Sequence, residues 1–379
     1  WLAVFGGHLV PDGDTRYDLV AVQHNVSDEN PDPPPVESSQ TPLTSVLAFV
    51  GMNRVGRDSV PVAPGLAGGP AAGSGVALGH NERIAWGFTN VGPDVQDLYI
   101  EKFDPANPRR YQTPQGWQDA VVRQEQIKVR KGFTSSEYDT VTHEVTVSRH
   151  GPIVYEADGK RYALRWTALD PARNSADASF TLNRARNWKE FNTALESFTA
   201  PTQNIVYADV EGHIGYHAAG VVPIRTSGDG SVPYDGATDA GEWTSYIPRD
   251  KMPTVFDPPS GIIVTANQRI VGTDYPYFLS HVWAQPYRAR RILDLLSQTP
   301  KLSADDVRRI QGDVYSIGNV LFAQQIAKTM RGQVKSEETR LNAALAEFEK
   351  WDGRMNSESR VAPILQQMRI AFRLRVLNA

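Results

Sequence analysis

Residues 204–216 read Asn-Ile-Val-Tyr-Ala-Asp-Val-Glu-Gly-His-Ile-Gly-Tyr. Apolar and β-branched residues fill both arms, and Glu211-Gly212 sits between them as turn chemistry. So short a connection cannot carry a parallel crossover, so the two arms form an antiparallel hairpin. Working back from it, Arg161 to Thr167 is a strand candidate. Thr140 to Ser148 alternates polar and apolar until His150-Gly151-Pro152 breaks it, and Arg123 to Arg130 alternates as a half-buried strand does. Working forward, the period changes. Asn187 to Phe198 already spaces Trp188, Phe191, Leu195 and Phe198 by three and four. Ser303 and Asp306 form a capping-box pattern before Val307, Ile310 and Val314. Leu341, Leu345 and Phe348 mark another helix, with Gly353 as its stop. Strands come first and helices follow, so the class is α+β.

The chain before this region reads differently. Asp28 to Pro35 is DENPDPPP, charged and proline-rich, and Val60 to Gly75 is mostly Pro, Gly, Ala and Val. Residues 1–74 are therefore expected to be an irregular or diverged part, residues 75–292 the sheet-bearing core, and residues 293–379 a helical part that is cut short. The 379 residues include no cysteine, which removes disulfides, thiolate metal sites and a cysteine nucleophile together. A net charge of -4 without a basic stripe argues against nucleic acid as a partner. No apolar run reaches about 18 residues, so no membrane span is expected. The Gly-x-Ser-x-Gly elbow, the phosphate-binding loop and the His-Glu-x-x-His zinc motif are all missing. The eight histidines are scattered. His213 and His217 have helical spacing but lie in a strand-like stretch, which favours structural roles.

Four stretches carry more. They are GHNERIAWGFTNVGPDVQDLYIE at 79–101, RHGPIV at 149–154, QNIVYADVEGHIGYHAAGVVPIR at 203–225 and VTANQRIVGTDYPYFLSHVWAQPYRARRI at 264–292. In this order and at these separations they resemble the nucleophile-bearing β-chain of the penicillin acylase family of N-terminal-nucleophile hydrolases. The resemblance implies an αββα sandwich of two antiparallel sheets with a helical C-terminal part. It also implies hydrolysis of the acyl amide of a small molecule such as a penicillin or an acyl-homoserine lactone, in a periplasmic or secreted setting. A complementary α-chain from the same precursor is the implied partner, and no organic cofactor is expected.

The physical logic of such a site is spare. The nucleophile is an N-terminal serine whose own α-amine, titrating near 8, is the general base. The remaining task is to stabilise the tetrahedral oxyanion with one backbone N–H and one neutral side-chain donor. By resemblance the side-chain donor is Asn267; taken alone, that residue reads as a turn cap. The backbone donor falls at Asn90, and Arg288 matches an arginine held near the asparagine. Arg290 and Arg291 read as solvated helix charges. The resemblance also assigns structural Ca²⁺ to Asp94, Asp97 and the Gln96 carbonyl, hard oxygen ligands of the right kind; by themselves Asp94 and Asp97 read as turn residues. Phe88, Trp166 and the aromatics from Tyr275 to Phe278 are candidates for the substrate pocket, with core packing as the equal alternative.

The sequence departs from the family in one decisive place. The serine is expected roughly sixty residues before Gly79, after a glycine. Ser27, Ser38, Ser39 and Ser45 are the nearest candidates, and none follows a glycine. Gly73-Ser74 is a Gly-Ser pair, but cutting there would discard a core strand. Family β-chains also continue beyond Ala379. A truncated or frame-damaged reading of a gene gives this picture, and so does a diverged, inactive relative that keeps the fold and a calcium-stabilised ligand cleft.

Overall fold

The computed structural model describes residues 79–377 except Thr134, 171–174 and 299–300. The irregular segment expected over residues 1–74, with its candidate serines, lies outside the described residues. The first strands are β1 (Gly79–His80), β2 (Ile84–Asn90), β3 (Gln96–Glu101), β4 (Phe103–Asp104), β5 (Asn107–Thr113), β6 (Gly116–Asp119), β7 (Val121–Arg130) and β8 (Tyr138–Val147). They are followed by β9 (Ile153–Ala157), β10 (Lys160–Trp166), β11 (Gln203–Asp209), β12 (Ile214–Ala219), β13 (Pro223–Arg225), β14 (Tyr234–Asp235), β15 (Trp243–Tyr246) and β16 (Thr254–Phe256). Helices α1 (Ala176–Leu182) and α2 (Trp188–Ala194) interrupt the strands. Helices α3 (Tyr287–Leu296), α4 (Ala304–Gln311), α5 (Ile317–Met330), α6 (Thr339–Lys350) and α7 (Val361–Leu377) complete the described chain.

The central sheet has the order β1-β2-β11-β12-β16, antiparallel throughout. The hairpin expected at 204–216 is its middle, with Gln203 paired to Ala219 and Ala208 to Ile214. Alternation divides its side chains between two cores, because successive residues of a strand point to opposite faces. Ile84, Trp86, Ile205 and Tyr207 pack with Phe191 and Leu195 under α1 and α2. Asn187 caps α2 by accepting from the Glu190 N–H. Tyr216 and Ala218 belong to the opposite core, with Val222, Ile247, Met252 and Leu279, and Val206 packs against it.

A second sheet runs β14-β3-β10-β9. Its β14–β3 pair is parallel over Tyr234–Asp235, a short exception to the antiparallel expectation. Beneath it lies a charged network. His150 is buried, stacked 3.7 Å from the Tyr99 ring, with Glu101 Oε1 2.7 Å from Nδ1 and Glu242 Oε1 2.7 Å from Nε2. Arg149 and Arg165 also reach the Glu242 carboxylate. Burial pushes the Glu242 carboxyl up, but the bonds from His150 and Arg165 outweigh it and hold its pKa at about 2.

The capping box at Ser303 forms as the sequence indicates, but α4 stops at Gln311 and leaves Val314 outside it. Gly353 is the expected stop of α6, but the helix ends at Lys350 with Trp351 as an extended cap, and the positive φ of Gly353 serves the turn that follows. Two other readings need correction. Residues Arg123 to Arg130 are in a strand, but one that is exposed on nearly every residue, not half-buried. Its alternation faces no core because β7 pairs with β8 alone, as a two-stranded ribbon. Arg291 is no solvated charge: it makes a bidentate pair with Asp313 at 2.7 Å and lies 4.6 Å over the Tyr315 ring.

Two tests address this frame. Gly151 has φ +138, and a Cβ there would meet the Leu164 carbonyl oxygen at 2.1 Å. Gly151→Ala should therefore destabilise by more than about 1 kcal/mol in urea unfolding. Glu242, with a depressed folded pKa, should contribute stability that is complete above its ordinary value of 4.5 and lost as pH falls towards about 2. Glu242→Gln should flatten the stability profile across that window, measured by denaturation at a series of pH values.

Candidate active site

The end of β2 is where the site assembles. Asn90 stands opposite Gln203 on β11, and the Gln203 amide donates to the Asn90 side-chain oxygen at 2.9 Å. Asn267 lies on the loop that leads to α3, with φ +64, a left-handed conformation that asparagine tolerates better than other non-glycine residues. Its Nδ2 donates to the Asn90 carbonyl oxygen at 2.9 Å, and its Oδ1 accepts from the Arg288 guanidinium at 3.1 Å. Asn267, Arg288 and Asn90, chosen from far-apart segments, thus meet within hydrogen-bonding distance. The contact at Asn90 runs through its carbonyl.

Local chemistry explains the loop's shape. The Gln268 side chain folds back on its own segment, accepting from Ala266 N–H at 2.6 Å and donating to the Val264 carbonyl at 2.9 Å. This fixes the register: Asn267, and not its neighbour, reaches the sheet. The Ala284 N–H donates to the Asn267 carbonyl, tying the loop to the segment that opens α3 and carries Arg288. Thr265 and Thr89 hydroxyls lie 2.9 Å apart, a second clasp between loop and sheet.

Beneath the loop are residues that sequence reading passed over. Asn204 is fully buried. Its Nδ2 donates to the Asn90 carbonyl at 3.0 Å and to the Thr89 hydroxyl at 3.1 Å, and its Oδ1 accepts from the Tyr216 hydroxyl at 2.6 Å. The available signal was a polar residue at an inward position of an otherwise apolar strand, since a buried amide must find partners. Beside Thr265 and Gln268 lies a hollow of about 300 Å³ lined by Tyr216, Val255, Ile262, Ile263 and Ile270. Of the pocket candidates, Phe88 packs edge-on against Phe198 on the helix-covered face. Tyr275 and Tyr277 pack against the core that holds Tyr216. Trp166 ends β10 in the second sheet.

Asp94 and Asp97 are drawn together, but around an arginine. Asp97 is buried and receives Arg225 Nε at 2.7 Å, Arg225 Nη2 at 3.0 Å and the Trp243 indole N–H at 2.5 Å. Arg225 also reaches Asp94 Oδ1 at 3.2 Å. Burial raises the Asp94 pKa, with Arg225 opposing. Gly230 closes the back of the pair, since a Cβ there would meet both carboxylates. Among the described residues no group of three His, Asp or Glu side chains could hold a metal. As arranged, the two carboxylates close around the Arg225 guanidinium.

The chain superposes on the thermostable penicillin G acylase from Alcaligenes faecalis with a TM-score of 0.62 and 26% identity, over 74% of this chain and 50% of that one. Its sheets and covering helices are therefore those of an N-terminal-nucleophile hydrolase. The penicillin amidase family model matches residues 66–379. Relatives include the penicillin acylase 2 proenzyme of a Pseudomonas species, strain SE83, at 32% identity over 77% of this chain and 37% of that protein. The acyl-homoserine lactone acylase QuiP of Pseudomonas aeruginosa is 30% identical over 75% of this chain and 36% of that protein. Escherichia coli penicillin G acylase is 31% identical over 75% and 33%. The chain belongs to the penicillin amidase family, and it spans about a third of the length of these curated relatives.

The arginine at the acidic pair makes its own prediction. Arg225 and Asp97 side chains are 3% and 0% exposed. Arg225→Ala leaves a buried carboxylate without its counter-charge and should cost about 3–5 kcal/mol in chemical denaturation.

Proposed function

We propose that this chain supplies the oxyanion-stabilising part of an acylase site, one that hydrolyses the acyl amide of a small N-acylated molecule of the penicillin or acyl-homoserine lactone class. The observation that carries the reading is the fixed amide of Asn267. Arg288 holds its oxygen and the Asn90 carbonyl holds one of its two N–H groups. The flip state of the amide is thereby determined, and the second N–H is left to donate to a reacting carbonyl. A neutral donor fixed before the reaction needs no reorganisation as charge develops on oxygen, the condition under which such donors act most strongly. A guanidinium can only donate, so Arg288 keeps the amide oxygen turned towards it. The apolar hollow beside Thr265 and Gln268 suits the acyl group.

Nucleophilic attack requires a hydroxyl and a free amine on one terminal residue. Such a serine, and the complementary chain of a common precursor, belong to the proposal as parts of the assembled enzyme. A second reading, a non-catalytic relative that keeps the fold, is favoured by the sequence context of Ser27, Ser38, Ser39 and Ser45, none of which follows a glycine. Chromophore release from phenylacetyl and fatty-acyl p-nitroanilides by the full chain, alone and with its complementary chain, separates the two. Turnover supports the acylase, and Asn267→Ala should then lower kcat by roughly a hundredfold or more. Absence of turnover under both conditions would leave the non-catalytic relative as the surviving reading.

A further inference from the structure

The Asn90 carbonyl oxygen accepts two side-chain hydrogen bonds. One comes from Asn267, whose remaining N–H is the proposed oxyanion donor. The other comes from Asn204, a side chain that touches no open space and cannot meet a substrate. A carbonyl oxygen has two lone-pair directions, and here both are in use. The direction in which Asn267 is held therefore depends on how Asn204 holds the same oxygen.

Asn204 is itself held. Its oxygen accepts a hydrogen bond from the Tyr216 hydroxyl at 2.6 Å, and its nitrogen faces Asn90 and Thr89. Without that hydroxyl the amide is held only by its donations to Asn90 and Thr89, and its buried oxygen is left without its partner. Burial raises the Tyr216 pKa, which keeps the hydroxyl protonated as a donor. Asn204 also donates to the Thr89 hydroxyl, which lies 2.9 Å from the Thr265 hydroxyl on the Asn267 loop. Two routes thus lead from the β11–β12 hairpin to one loop, through the Asn90 carbonyl and through Thr89.

Resting on the acylase reading above, we propose that Asn204 and Tyr216 are positioning residues for the oxyanion site, setting the orientation of the Asn267 amide through the shared Asn90 carbonyl. Neither touches the reacting atoms. Their effect is on the direction of a donor, and a misplacement of about 1 Å at such a donor can cost up to about a hundredfold in rate.

The test uses the full chain, labelled with ¹⁵N-asparagine, and follows the Asn267 side-chain amide by NMR. Asn204→Asp removes the donor and keeps an acceptor for Tyr216. Tyr216→Phe removes one oxygen and leaves the fold's apolar contacts in place, so it stands in if the aspartate variant fails to fold. Val222→Ala, in the same core as Tyr216 but without a polar role, controls for destabilisation alone. Both polar variants should shift the Asn267 amide resonances and remove their exchange protection, while Val222→Ala leaves them unchanged. In the anilide assay the polar variants should lower kcat by up to about a hundredfold with KM little changed. An Asn267 amide that stays put in folded Tyr216→Phe overturns the positioning role. Lack of turnover by the unsubstituted protein counts against the acylase reading and leaves the NMR result to decide the positioning separately.

Discussion

One carbonyl oxygen, that of Asn90, joins the sheet to the loop that carries the candidate chemistry. It belongs to the last residue of β2, where the strand's own ladder ends and a backbone acceptor would otherwise face outward. Instead it accepts from Asn204 within the sheet and from Asn267 across the loop. The buried hairpin β11–β12 fixes the first donor, and the tie between Ala284 and Asn267 with the start of α3 fixes the second. A small part of the backbone thus transmits the rigidity of the central sheet to an asparagine in a left-handed conformation. An amide on an untethered loop would lose orientation entropy with each reaction cycle; this one has that cost met by folding.

Charge is handled differently away from this site. In and beside the second sheet, carboxylates are held by donors drawn around them: Asp97 by Arg225 and the Trp243 indole, and Glu242 by His150, Arg149 and Arg165. Such pairs are poor evidence of net stability, because two desolvated charges regain little more than they lost. They are strong constraints on geometry, because removing one partner strands the other. That is why the acidic pair just after β2, whose residue types suit an ion, is instead closed around a guanidinium reaching in from β13.

The β7–β8 ribbon follows neither pattern. It is ten residues long on each side and exposed along most of both strands. Its alternation is as regular as that of a core strand, because alternation reflects the pleat, while burial depends on whether another layer arrives. For the same reason the sequence reading assigned it a half-buried face that it does not have.

Much of the architecture was legible from the chain alone. The hairpin at 204–216, the helix begun by the spacing of Trp188 and Phe191, and the capping box at Ser303 rest on contacts within a few residues, so local pattern suffices to find them. The individual residues Asn90, Asn267 and Arg288 were also legible, through their resemblance to family motifs. Their meeting was decided by tertiary structure, since it depends on a loop 177 residues away in sequence returning to the end of β2. So were the buried roles of Asn204 and Tyr216 and the fate of Asp94 and Asp97. A side chain's type states what it can donate or accept. Which partner it meets is set by long-range packing, and no local periodicity encodes that.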